Sequence, residues 1–188
     1  MILGVLSDTH GQRQRTATAL CLLERVGADA FVHCGDVGGE GVLDELAGRR
    51  VWLVWGNTDD PDGGLEAYAR SLGLEVGNPA PLRLELDGRA LAVFHGHETR
   101  FARLMAHLHK TGSLPPDFGS CDYVLHGHTH AVADTRVGLL RVLNAGAVFR
   151  AAIPSVATLD LRTDELRVWP LDTTTPPRPH RGPRPRRS

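Results

Sequence analysis

Ile2-Leu3-Gly4-Val5-Leu6 is a compact apolar run that passes directly into Ser7-Asp8-Thr9-His10. Apolar at successive positions, such a run suits a strand covered on both faces of its sheet. Similar runs recur at Ala30–His33 and at residues 51–55, followed by Gly35-Asp36 and by Gly56-Asn57-Thr58-Asp59. Between them, Ala19, Leu20, Leu23 and Val26 recur at helical spacing and stop at Gly27, and Val42, Leu43 and Leu46 mark a shorter helix. The alternation predicts a βαβαβ start, the signature of an α/β fold.

Downstream, Leu65, Tyr68, Ala69 and Leu72 form an apolar stripe ending at Gly73, and Phe101, Leu104, Met105 and Leu108 form another ending near Gly112. Leu82-Arg83-Leu84-Glu85-Leu86 alternates, turns at Asp87-Gly88 and continues through residues 90–94 as a hairpin. Two further pairs are expected around Gly138 and around Thr163-Asp164. The expectation is therefore α/β units first and antiparallel strands afterwards, in mixed sheets with helices outside.

The 188 residues are 41% hydrophobic and 23% charged, enough for one well-buried core and short for two. A single domain over residues 1–171 is expected. Residues 172–188 carry five arginines among prolines and threonines with no other apolar residue, which predicts a disordered tail. Without those arginines, sixteen basic residues face twenty-two acidic ones, a net charge of -6 with no basic groove for nucleic acid. No stretch approaches the ~18 apolar residues of a membrane span, and the first residues lack the basic flank of a signal peptide. A soluble, cytoplasmic protein is expected. Cys21, Cys34 and Cys121 are too scattered for a disulfide framework or zinc ribbon and read as small buried hydrophobes.

His95-Gly96-His97 follows Phe94, and Gly127-His128-Thr129-His130 follows the run Tyr123–His126, so five strand ends in all carry metal-competent side chains. In α/β sheets such ends converge on one crevice. Asp8 and His10, like His128 and His130, are two apart, which in an extended segment turns both to the same side. Gly35, Gly56, Gly96 and Gly127 would let these side chains crowd together without a Cβ clash. Oxygen and nitrogen donors without thiolate suit manganese, iron, zinc, cobalt or nickel and argue against a structural zinc site. Seven candidate ligands suit two ions sharing a carboxylate, roughly 3.5 to 4 Å apart, an arrangement that serves phosphoryl transfer.

Taken together, the motifs D-x-H, G-D, G-N-x-[DE], H and G-H-x-H, in order from Asp8 to His130, resemble those of the calcineurin-like metallophosphoesterase superfamily, in particular its small bacterial and archaeal phosphodiesterases. The resemblance implies a four-layer αββα sandwich of two mixed sheets. It implies one ion on Asp8, His10 and His130, a second on Asn57, His95 and His128, and Asp36 bridging them, with manganese the first expectation. It also implies hydrolysis of a small phosphodiester by a metal-bridging hydroxide, with Asp36, Asn57, His95 and His128 as catalytic residues, and it leaves room for a homodimer. Leu143-Asn144-Ala145-Gly146 resembles a loop of this branch that usually has proline where Ala145 stands.

Thr58 departs from the family more consequentially, because many members have histidine there to protonate the leaving group. His97 is the candidate replacement, and Thr58, Arg13 and Arg100 join it as candidate substrate contacts, with Arg15 beside Arg13. Asp59 is expected to hold its loop by side-chain to backbone bonds. His33 and His126 lie on the opposite strand phase and read as supporting residues. His107 and His109, two apart on a helix, do not share a face. A phosphomonoesterase or nucleotidase on the same site, or a catalytically silent metal-binding scaffold, are the alternatives.

Overall fold

A computed structural model describes residues 1–171, and the tail reading of residues 172–188 falls outside them. The elements run β1 (Ile2–Leu6), α1 (Arg13–Arg25), β2 (Ala30–His33), α2 (Glu40–Leu46), β3 (Val51–Val54), a 3-10 turn (Pro61–Gly63), α3 (Leu65–Ser71) and β4 (Glu75–Gly77). They continue β5 (Leu82–Leu86), β6 (Arg89–Val93), α4 (Thr99–Thr111), β7 (Tyr123–His126), β8 (Val132–Val137), β9 (Leu140–Ala145), β10 (Ser155–Asp160) and β11 (Glu165–Pro170).

Two sheets result, ordered β11-β10-β1-β2-β3-β4 and β5-β6-β7-β9-β8. β1 to β4 are mutually parallel, with β10 antiparallel beside β1 and β11 antiparallel beside β10 at the edge. In the second sheet β6, β7 and β9 are parallel, with β5 and β8 antiparallel at the edges. The antiparallel pairs expected around Gly138 and Thr163-Asp164 are β8/β9 and β10/β11. The second half is nevertheless not purely antiparallel. A parallel neighbour needs a crossover, and α4 supplies one between β6 and β7. β4, three residues long, has too little sequence for a legible period.

Side-chain alternation explains the apolar runs. Leu3 and Val5 of β1, Ala30 and Val32 of β2, and Trp52 and Val54 of β3 meet Leu91 and Val93 of β6 and Leu125 of β7 in a core between the sheets. Their alternates, Leu6, Phe31, Val51 and Leu53, pack under the Ala19, Leu20 and Leu23 stripe of α1 and Val42, Leu43 and Leu46 of α2. On the other flank, Ala92, Val124 and Val142 pack under Phe101, Leu104 and Leu108 of α4. These three cores make the αββα sandwich. Burying both faces of the central strands leaves their carboxyl ends as the place where polar side chains can gather. Among the described residues no helix is long and apolar enough to cross a membrane.

Candidate metal centre

Asp8 and His10 follow β1, Asp36 follows β2, Asn57 follows β3, His95 follows β6, and His128 and His130 follow β7. Backbone bonds lock these ends together: Asp8 N–H donates to the Gly35 carbonyl at 2.9 Å, His10 N–H to Asp36 at 2.9 Å, and Gly127 N–H to His95 at 2.7 Å. Asp8 and His10, like His128 and His130, do meet in one region, but not through an extended backbone. Asp8, His10, Asp36, His128 and His130 all have φ between 45° and 66°. That left-handed conformation costs a non-glycine residue free energy and persists where surrounding structure enforces it, commonly at functional sites.

The donor atoms converge. Asp8, His10 and His130 each offer one within 4.8 Å of the others, and so do Asp8, Asp36 and His95. His130 Nε2 is 3.2 Å from Asp8 Oδ1, and His10 Nε2 is 3.5 Å from His130 Nε2. Asp36 divides its oxygens, Oδ2 lying 3.6 Å from His10 Nε2 and Oδ1 3.5 Å from His95 Nε2. Asn57 Oδ1 is 3.2 Å from His95 Nε2. His128 is in neither group and lies beside them, its ring edge-on to His95 with centroids 5.0 Å apart. The glycines leave room for this approach. A Cβ on Gly35 would lie 2.6 Å from His95 Nδ1, and one on Gly56 2.0 Å from Asp36 Oδ1.

The supporting contacts fix which nitrogen faces inward. His95 Nδ1 donates to the Cys34 carbonyl at 2.7 Å and His130 Nδ1 to the Arg150 carbonyl at 3.2 Å, so each directs Nε2 at the cluster. Asp59 accepts from the N–H groups of Val37, Gly38 and Gly56 at 2.8–3.0 Å, joining the Asp36 loop to the Asn57 loop. That is the backbone role expected of it, extended to a second loop. Glu98 was not singled out by sequence reasoning, yet its two oxygens accept from His95 N–H and Gly96 N–H, each at 2.8 Å. Asn144 donates to the Gly127 carbonyl at 2.8 Å and accepts from Gly146 N–H at 2.9 Å, bracing the loop that carries His128. His33 is fully buried, accepts from Gly35 N–H at Nδ1 and lies 3.0 Å from Thr9 Oγ1.

Electrostatics favour a cation here. Burial alone would raise the Asp36 carboxyl, but the hydrogen bonds from His95 and the Thr58 N–H outweigh it and hold the group well below the usual carboxylate range. Burial lowers His10 against the pull of Asp36 and Asp8. At His95 burial also acts downward, and its bonds to Asp36 and Cys34 overcome it, raising the imidazole. Asp8 is fully buried, and its Oδ1 has no hydrogen-bond partner among the described residues. The contact to His130 is close enough for an ion pair but lacks hydrogen-bond geometry, and an uncompensated buried carboxylate oxygen is costly. Divalent ions among these oxygen and imidazole donors fit both the orphaned oxygen and the facing Nε2 atoms.

The outer residues sort differently. His97 is exposed, its ring 5.4 Å from His95 and 6.2 Å from His128. Exposed Thr58 donates its N–H to Asp36 Oδ1 at 3.0 Å. Arg13 is held by Glu45 at 2.7 Å and Asp44 at 3.8 Å, away from the cluster, because α2 places two carboxylates opposite it. Arg100 is exposed on the first turn of α4. Buried His126 packs its ring 4.8 Å from Phe101, a supporting position as expected.

Residues 1–164 match the calcineurin-like phosphoesterase superfamily domain. The chain is similar to a phosphodiesterase of Methanocaldococcus jannaschii, 24% identical over 89% of this chain and 97% of that protein. A solved archaeal phosphodiesterase superposes with a TM-score of 0.75 at 22% identity, covering 91% of this chain and all of that one. The Escherichia coli phosphoesterase YfcE gives 0.61 at 24% identity over 92% of this chain and all of its own. Vps29 of Entamoeba histolytica in complex with zinc gives 0.58 at 17% identity over 90% and 91%.

Proposed function

The chain belongs to the calcineurin-like phosphoesterase superfamily, and from that membership we propose that it is a two-metal phosphodiesterase acting on small phosphodiesters. The observation that carries the reading is the division of Asp36, one oxygen toward His10 and the other toward His95, with Asp8, Asp36 and His95 buried at the base of the donor set. Asp8, His10 and His130 would hold one ion, Asn57, His95 and His128 the other, and Asp36 both. When bound, two divalent ions supply Lewis-acid activation of water and neutralise charge on the phosphoryl oxygens. The backbone carbonyls of Cys34 and Arg150 keep His95 and His130 in the tautomer that presents Nε2.

The oxygen and imidazole set suits several divalent ions, among which availability selects as much as affinity; manganese is our first assignment, and we assign the enzyme to the cytoplasm. Thr58 has no proton to give near neutral pH, which favours esters with good leaving groups, with His97 the nearest exposed imidazole outside the donor set. The net charge of -5 over residues 1–171, sixteen basic residues against twenty-one acidic ones, opposes a polyanionic substrate. The Methanocaldococcus phosphodiesterase supports the same class of reaction.

The test compares hydrolysis of bis(p-nitrophenyl) phosphate and p-nitrophenyl phosphate by chelator-stripped protein before and after manganese is restored. Metal-dependent turnover favouring the diester is expected. Preference for the monoester would reassign the enzyme, and no turnover with two ions bound would make it a scaffold.

A further inference from the structure

Beside the Asp8, His10 and His130 donors, the chain between β9 and β10 places Phe149 6.4 Å from the His10 ring. Two guanidinium groups are set against that phenyl ring, Arg15 from α1 at 5.2 Å and Arg150 at 5.6 Å from its centroid. Neither has an ion-pair partner among the described residues, in contrast to Arg13 two residues before Arg15 on α1, which Glu45 and Asp44 neutralise. Arg150 is also fixed in position. Its φ is +60°, its carbonyl accepts from His130 Nδ1, and the preceding residue donates its N–H to the Asp8 carbonyl at 3.2 Å. The loop that orients one candidate ligand therefore carries a free cation to the rim of the cluster.

Two unneutralised arginines beside an otherwise acidic site need a reason, since the folded part as a whole carries net negative charge. Phe149 holds both by cation–π contact, which leaves their N–H edges free for oxygen acceptors. We infer that Arg15 and Arg150, oriented by Phe149, bind a second anionic group carried on one arm of the diester. The favoured substrate class is then a phosphodiester bearing a further phosphate, as in a nucleotide with phosphates on two hydroxyls. This inference rests on the phosphodiesterase reading above and narrows its substrate.

The test uses two diesters differing only in that group: thymidine 5′-(p-nitrophenyl phosphate) with and without a 3′-phosphate, with bis(p-nitrophenyl) phosphate as reference. The 3′-phosphate should raise kcat/KM at least about tenfold, the size expected of a charge-assisted hydrogen bond. In Arg15→Gln/Arg150→Gln the ratio between the two thymidine esters should fall toward one. Calorimetry should likewise find thymidine 3′,5′-bisphosphate bound more tightly than thymidine 5′-phosphate by the parent, and equally by the double variant. Equal kcat/KM in the parent, or turnover of the reference with neither thymidine ester accepted, would overturn the inference and leave the phosphodiesterase reading standing. No turnover of any of the three would instead sink that reading.

Discussion

Replacing Gly56 with alanine adds a single methyl group where the site has least room. The new Cβ would lie 2.0 Å from Asp36 Oδ1, 2.3 Å from its backbone nitrogen and 2.7 Å from Cγ, whereas ordinary contact begins at 3.4 Å. Either the β3 loop or Asp36 must retreat by about 1.4 Å, and misplacement of that size typically costs on the order of 10²-fold in rate. Asp59 resists the retreat of the loop, because its carboxylate binds Gly56, Val37 and Gly38 together. Overpacking should also cost about 1–3 kcal/mol of stability, and each kcal/mol lowers Tm by about 2–4 °C in a domain of this size. The assay is manganese-dependent hydrolysis of bis(p-nitrophenyl) phosphate, read beside a thermal melt. Gly48→Ala is the control: φ there is +75° with nothing within 4 Å, so it should lose stability only. Parental activity in Gly56→Ala would refute the claim that Asp36 is held in place by close packing.

Other outcomes follow from the same geometry. Asp59→Ala removes the acceptor of three backbone N–H groups and should lower stability by about 2 kcal/mol in urea denaturation, with activity falling as the Asp36 loop loosens; unchanged stability would contradict that role. Arg141 is buried at the opposite end of the sandwich, bound to Asp134 and Asp164, so Arg141→Ala should cost about 2–3 kcal/mol, discounted for its half-exposed partners, without changing kcat/KM. Burial pushes His33 down to about 3. Its unfolded form therefore binds the extra proton between about pH 6.5 and 3, and stability should fall as pH drops through that window by about 1.4 kcal/mol per unit. Urea midpoints at pH 7 and 5 should converge in His33→Gln, and an equal drop in variant and parent would exclude His33 as the source. Chelation should lower Tm and manganese restore it, by about 2.7 kcal/mol of stability for each bound ion at a hundredfold excess over its Kd.

Much of this site was legible because strand and ligand signals coincide. The runs ending at Leu6, His33 and Val54 are apolar on both faces, so a polar residue just beyond each marks a strand end rather than a surface face. The motif glycines were equally readable, since their purpose is the close approach now seen at Gly35 and Gly56. What sequence reasoning mistook was the backbone. Spacing by two suggested an extended Asp8–His10 segment, whereas both residues are left-handed, a conformation enforced by bonds to Gly35 and Asp36 in the loop after β2. Helix starts were obscure for a related reason, because none of the four α-helices among the described residues has a side-chain N-cap bond. Glu98 stands at such a cap position but turns its carboxylate to the His95 loop. Arg150 had no motif to announce it; its importance lies in a carbonyl and a φ angle. Arg13, adjacent to the first motif in sequence, faces α2 because of Asp44 and Glu45, which periodicity alone does not pair with it.

The central claim is a pair of ions divided by one carboxylate. It is tested most directly by counting manganese bound per chain after equilibrium dialysis, in the parent and in Asp36→Asn. Two ions in the parent and at most one in the variant are expected; one ion or none in the parent, or two retained without the Asp36 carboxylate, would contradict it.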